Sequence, residues 1–215
     1  MASPLTRFAD AARTLGPGRA LALAPSWLLR PEYVVFVGDL ARPLPAIPPD
    51  PPLRWTIASE ADLRVIRAVS PALSGREIRR RWREGQRCVI SWYEGSPACW
   101  LWETEAPAWL PYLGLTFRPR AGDALIFDVF TAVRFRGRGI DRASSTAALH
   151  RARDRGCTRK VAFAAPWNAP VMRVTGARLG GAIVGSVGYW WLPPHRRFFA
   201  RGAVRVADNA LLHVL

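Results

Sequence analysis

The chain has 215 residues, half of them apolar and 22% charged; that is enough to bury a core as one domain with an appendage, and it excludes a disordered chain. Its apolar stretches are short and broken by residues such as Pro25, so no spanning helix of about 20 residues is expected. Asp10 and early arginines interrupt any secretory leader, which makes a cytoplasmic location the expectation. The formal charge is +15 and Lys160 is the single lysine; so arginine-rich a surface attracts phosphate-bearing small molecules, nucleic acid and anionic lipid alike, without choosing among them.

In chain order, the first expected element is an amphipathic helix over residues 5–15, with Leu5, Phe8, Ala12 and Leu15 on one face, followed by a strand over 33–37. Residues 42–52 hold six prolines and read as an extended connector. It divides an N-terminal extension, 1–52, from a main domain, 53–215, on which the extension is expected to pack. A strand over 53–58 leads to Ser59 as helix N-cap and a helix over 60–69; a strongly basic helix over 74–84 follows. Strands over 87–93 and 98–104 flank the turn Glu94-Gly95-Ser96-Pro97, a hairpin signal. Residues 123–131 are the most strand-like run. They lead through a glycine-rich turn into a helix over 140–155, closed by Gly156. A strand over 159–165, a short helix over 170–178 and strands over 183–192 and 197–206 complete the order. Such an order gives an α/β (α+β) sandwich with a mixed, largely antiparallel sheet flanked by helices. Cys88, Cys99 and Cys157 form no CxxC pair and have no histidine at ligand spacing, so reduced buried thiols and no metal site are expected.

Chemistry concentrates in residues 126–140, IFDVFTAVRFRGRGI. A strand runs into Arg136-Gly137-Arg138-Gly139 and directly into a helix. Glycines let successive backbone N–H groups converge, the helix N-terminus adds its positive end, and Arg134, Arg136 and Arg138 add full charges. The product is an anion cradle suited to a pyrophosphate. Ala143, Ala147, Ala148 and Ala152 allow the helix to lie close to a sheet. The run is neither a P-loop nor a dinucleotide-binding fingerprint.

The stretch resembles the [Q/R]-x-x-G-x-[G/A] signature of the GNAT (N-acetyltransferase) superfamily, with Arg136, Gly139 and Asp141 in the three defined places. A second register, Arg134-x-x-Gly137-x-Gly139, matches in letters but starts the helix too early. Asp141 departs from the usual glycine or alanine; its carboxylate favours the helix dipole but repels phosphate. Downstream, Asn168-Ala169-Pro170-Val171-Met172-Arg173 is similar to the family's N-x-[PS]-x-x-R segment. The resemblance spans about residues 53–192 and is strongest over 123–180. It implies a GNAT-like fold and acetyl-CoA, or another acyl-CoA, as co-substrate, with transfer to a small-molecule or peptide amine. The strand end Phe130, Thr131 and Val133 would hold the pantetheine arm. Arg136, Gly137, Arg138, Gly139, Ile140 and Asp141 would hold the pyrophosphate, with Asn168 and Arg173 beside the arm. Thr175 stands where many members carry a tyrosine acid.

The base stays open between Asp128, a carboxylate among apolar neighbours in a strand, and Glu103, which would face the cleft in the family's geometry. Trp100 and Trp102 share a strand face, as core or as pocket wall. Arg76, Arg79, Arg80, Arg81 and Arg83 read as a solvated helix face or an acidic-substrate patch. Two other readings remain: a non-catalytic acyl-CoA-binding protein of the same fold, motivated by Thr175 and Asp141, and a basic module for nucleic acid or aminoacyl-tRNA, motivated by the charge. Against the latter, the aromatic residues are not interleaved with the basic clusters along the chain, so nucleic acid is not the expected partner. A homodimer is compatible with everything above.

Overall fold

The computed structural model describes residues 30–69, 73–192 and 195–215, with isolated positions (12, 16–18 and 21) ahead of them; the helix expected over 5–15 lies outside the described residues. Among these, strands β1 (Glu32–Asp39), β2 (Arg54–Ile57), β3 (Arg87–Tyr93), β4 (Ser96–Thr104), β7 (Asp123–Thr131), β8 (Arg159–Ala164), β9 (Ala182–Leu192) and β10 (His195–Gly202) form one sheet. Its order is β10-β9-β1-β8-β7-β4-β3-β2. Only the β7–β8 pair runs parallel; the others are antiparallel. A second sheet, β11-β12-β6-β5, is built from β5 (Ala108–Leu110), β6 (Leu115–Phe117), β11 (Val204–Val206) and β12 (Leu211–Val214). Helices α1 (Leu63–Val69) and α2 (Gly75–Arg83) join β2 to β3, α3 (Ile140–Asp154) joins β7 to β8, and the short α4 (Ala169–Arg173) follows β8.

The main sheet is covered on both faces, and strand alternation assigns each side chain to one of them. Trp100 and Trp102 of β4, and Leu125 and Phe127 of β7, pack with Ile66, Ile78 and the second sheet's Leu110, Phe117 and Leu212. Their neighbours Leu101, Ala124 and Ile126 point the other way, onto Ala148, Leu149 and Ala152 of α3. The small residues do what their size permits: Ala143, Ala148 and Ala152 are fully buried, so α3 lies tight on the sheet. The β3–β4 turn places Glu94 and Gly95 at φ 50° and 71°, the left-handed pair that lets two residues reverse a twisted hairpin.

The strand ahead of the proline connector lies inside the sheet, not against it: β1 pairs with both β8 and β9. The connector also docks, with His150 of α3 bonded to the Pro45 carbonyl at 2.9 Å. The expected strand over 197–206 divides at Gly202, φ 67°, so β10 ends one sheet and β11 opens the other. The hairpin register also creates an interleaving that is invisible along the chain. Arg197 stands opposite Trp190, and the Arg30 guanidinium lies 4.9 Å from the Trp190 ring and 4.6 Å from that of Phe199.

Candidate active site

The parallel strands β7 and β8 pair only over Asp123–Leu125 and Arg159–Val161. Beyond that point they part, and the β7 backbone that faces β8 has no strand partner there among the described residues. The loop before α3 and the turn at Asn168 follow the C-terminal ends of these two strands, so the fold puts both beside one opening at the same edge of the sheet.

At the loop, Arg136 donates from Nε to the Thr131 carbonyl at 3.2 Å, and its guanidinium sits over Phe130. Arg138 lies over Tyr93. Gly137 and Gly139 have φ of 80° and 75°, with open space where a Cβ would stand. Arg136 N–H bonds to Val133 and Ala143 N–H to Gly139. Between them the N–H groups of Gly137, Arg138, Gly139, Ile140 and Asp141 meet no acceptor among the described residues. Thr131 Oγ1, at the strand end, is buried without an oxygen or nitrogen partner among the described residues, its hydroxyl facing the Cys99 sulfur as a weak acceptor. Unfilled donors on an open, glycine-bearing turn fit the phosphates of a nucleotide-linked acyl donor. Asp141 does not leave the helix end: its Oδ1 accepts from the Arg142 N–H at 2.8 Å.

Asn168 caps α4, its Oδ1 accepting from the Val171 N–H at 3.4 Å, which leaves its amide hydrogens for other partners. Arg173 is exposed and Thr175 is buried in an irregular turn, Val174–Arg178.

The two acidic candidates fall on opposite faces of the sheet. Glu103 is 1% exposed and faces α3. Arg151 Nε donates to its Oε1 at 3.0 Å and Arg155 Nη2 to its Oε2 at 2.9 Å. The expectation that Glu103 faces the cleft is therefore corrected: it anchors α3 to β4. Asp128 is on the other side, at a β-bulge. Trp100 pairs with Phe130 and Trp102 with Phe127, so Asp128 and Val129 together oppose Leu101. Its φ is 48°, and its side chain, 26% exposed, meets Arg81 Nη2 from α2 at 2.7 Å.

Around Asp128 the surface is aromatic. Phe130 stacks on Trp100 at 4.5 Å, and Tyr33 of β1 meets Tyr112 of the β5–β6 connection at 4.7 Å. Burial, then the nearby Asp128 carboxylate, pushes the Tyr112 phenol well above its ordinary pKa. Trp100 and Trp102 themselves are core. Nothing in the sequence singles out Tyr33 and Tyr112, and Arg81 reads there only within a run that forms a solvated helix face or an acidic-substrate patch, not as a buried partner of Asp128. The signal for Arg81 was present, because it lies three residues after the buried Ile78 and so on the inward stripe of α2. Arg79 and Arg80 do form a surface network, with Glu60, Glu77 and Glu84.

A model of the acetyltransferase (GNAT) family matches residues 68–180. No curated protein matches the chain. Among solved structures, a putative GNAT acetyltransferase from Novosphingobium aromaticivorans is similar at 18% identity and TM-score 0.55, covering 74% of this chain and 62% of that one. A GCN5-related N-acetyltransferase from Sphaerobacter thermophilus gives 16% and 0.54, covering 87% and 56%. A glucosamine N-acetyltransferase region of a fungal multi-domain β-N-acetylglucosaminidase gives 14% and 0.54, covering 79% and 22%. The chain thus spans less than two thirds of each of these proteins, and at such identities the likeness concerns the fold.

Proposed function

The chain belongs to the GNAT family, whose fold serves acyl transfer, and on that premise we propose that it moves an acetyl or other acyl group from acyl-CoA to an amine. The observation that carries this reading is the row of unfilled N–H groups from Gly137 to Asp141, set beside the opening where β7 and β8 part. Acyl-CoA would bring the activated thioester and the phosphates that this row can hold. The unpaired β7 backbone and Thr131 Oγ1 would orient the pantetheine arm, with the Asn168 amide beside it. Asp128 would take the proton of the attacking amine on the aromatic side of the sheet. Positioning and proton removal then supply most of the acceleration. With Thr175 in place of the usual tyrosine, no side-chain acid is assigned; the thiol of CoA leaves as thiolate, a far weaker base than the alternatives, an alkoxide or amide ion. The acceptor is a small-molecule or peptide amine, and the cytoplasm is the compartment this reading supposes; no helix among the described residues is long and apolar enough to cross a membrane.

The test is release of the CoA thiol from acetyl-CoA in the presence of a panel of amines. Turnover with at least one amine, lowered by about 10²-fold or more in Asp128→Asn, is expected. Binding of acetyl-CoA without turnover would instead favour a non-catalytic acyl-CoA-binding role, the reading that Thr175 motivates.

A further inference from the structure

Arg81 is fully buried, although it stands in the most basic run of the chain. Its Nε lies 3.2 Å from Glu77 Oε1 and its Nη2 lies 2.7 Å from Asp128 Oδ2. The rings of Trp102 and Phe127 flank the guanidinium, at 4.9 Å and 5.1 Å. Neither Nη1 nor Nη2 has a well-aligned acceptor among the described residues; the contact with Asp128 is an ion pair more than an aligned hydrogen bond. Burial works against its charge, while Asp128 and Glu77 hold it protonated.

An arrangement of this kind is a poor device for stability. A buried arginine with unfilled N–H groups is commonly matched or bettered by an apolar side chain of similar volume. What it does supply is a fixed point. Asp128 holds a left-handed backbone conformation, φ 48°, which a non-glycine residue keeps only where its surroundings over-determine it. The ion pair holds the Asp128 carboxylate through Oδ2. The rings of Trp102 and Phe127 restrain the arginine in turn.

We propose that Arg81 is the positioning residue of the acceptor site, holding Asp128 by Oδ2 so that Oδ1 is presented to the incoming amine. The proposal rests on the reading of Asp128 as base. In that step the amine N–H proton passes to Asp128 Oδ1, the nitrogen forms its bond to the thioester carbonyl carbon, and the C–S bond breaks with its electron pair going to sulfur. Arg81 touches none of the reacting atoms and acts through Asp128.

The experiment is a double-mutant cycle on the full chain, with acetyl-CoA and a panel of phenethylamine, spermidine, lysine amide and an alanine-initiated hexapeptide. Arg81→Met should lower kcat about 10²-fold while the KM for acetyl-CoA changes less than about twofold, and Arg81→Lys should restore about tenfold of the loss. In an Asp128→Asn background, Arg81→Met should cost less than about twofold more, because the two residues act as one unit. If Arg81→Met does not fold, the same cycle is read with Arg81→Lys. Equal losses in both backgrounds, or an unchanged kcat per folded molecule, would overturn the positioning role alone. No turnover with any amine, or an unaffected Asp128→Asn, would instead remove the base assignment and this proposal with it.

Discussion

At the scale of single residues, two side chains oppose their surroundings in ways that can be measured. Asp141 gains about 0.5 kcal/mol from the start of α3 and accepts the Arg142 N–H. Beside a bound pyrophosphate the same carboxylate would repel, by about 1–4 kcal/mol at ~4 Å for an effective dielectric between 80 and 20. Asp141→Gly should therefore raise CoA affinity or leave it level in calorimetry. A clear fall would make Asp141 a favourable part of the loop. Lys160 is 2% exposed, and burial lowers its pKa from 10.5 to about 8. Between those values the unfolded chain binds more protons than the folded one, so stability rises with pH across the window about 8 to 10.5. Lys160→Met should stabilise the protein at pH 7, by on the order of 3 kcal/mol at most. Its advantage over the wild type in chemical denaturation should fade towards pH 10.5; an advantage that does not change with pH would contradict the assignment.

At the scale of elements, the sequence spoke clearly where a pattern ran long enough. The strands at Arg87–Tyr93 and Asp123–Thr131 fall where runs of apolar, β-branched and aromatic residues place them, and Ser74 caps α2 through the Glu77 N–H. The strands β5, β6 and β12 were missed because each has only three or four residues, and Pro111 and Gly114 break the run around the first two. No period can declare itself in so short a stretch; these strands exist because the second sheet buries Leu110, Phe117 and Leu212. The glycine-rich loop was legible because its chemistry is local. The roles of Glu103 and Arg81 were not, since each depends on which face of an element meets which partner. Glu103 now reads as an anchor between β4 and α3. Glu103→Gln should lower stability by about 3 kcal/mol, since it leaves Arg151 and Arg155 partly unpaired. It should spare kcat per folded molecule; a selective loss of kcat without loss of Tm would return Glu103 to the catalytic machinery.

At the scale of the whole molecule, the N-terminal strand and the C-terminal strands meet in one sheet, with β1 held between β8 and β9. A strand is readable from Tyr33 to Val37, but its neighbours lie more than a hundred residues away, and no local pattern names them. The net charge of +15 is likewise ambiguous until the fold distributes it: arginines of α2 and α3 sit in ion pairs with carboxylates, and the excess of +15 is carried by the other basic residues. That excess draws in a polyanionic donor such as CoA. The central claim is that the strand–loop–helix unit at Gly137–Asp141 holds that donor, and the most direct measurement is a CoA thermal-shift titration of the wild type beside Gly139→Val. Valine meets no atom there but is strained at φ 75°, so the variant's own Tm should fall by a few degrees. The wild type should show a Tm that climbs with CoA concentration by mass action, and the variant should show no such rise. An equal CoA-dependent rise in both proteins would contradict the claim.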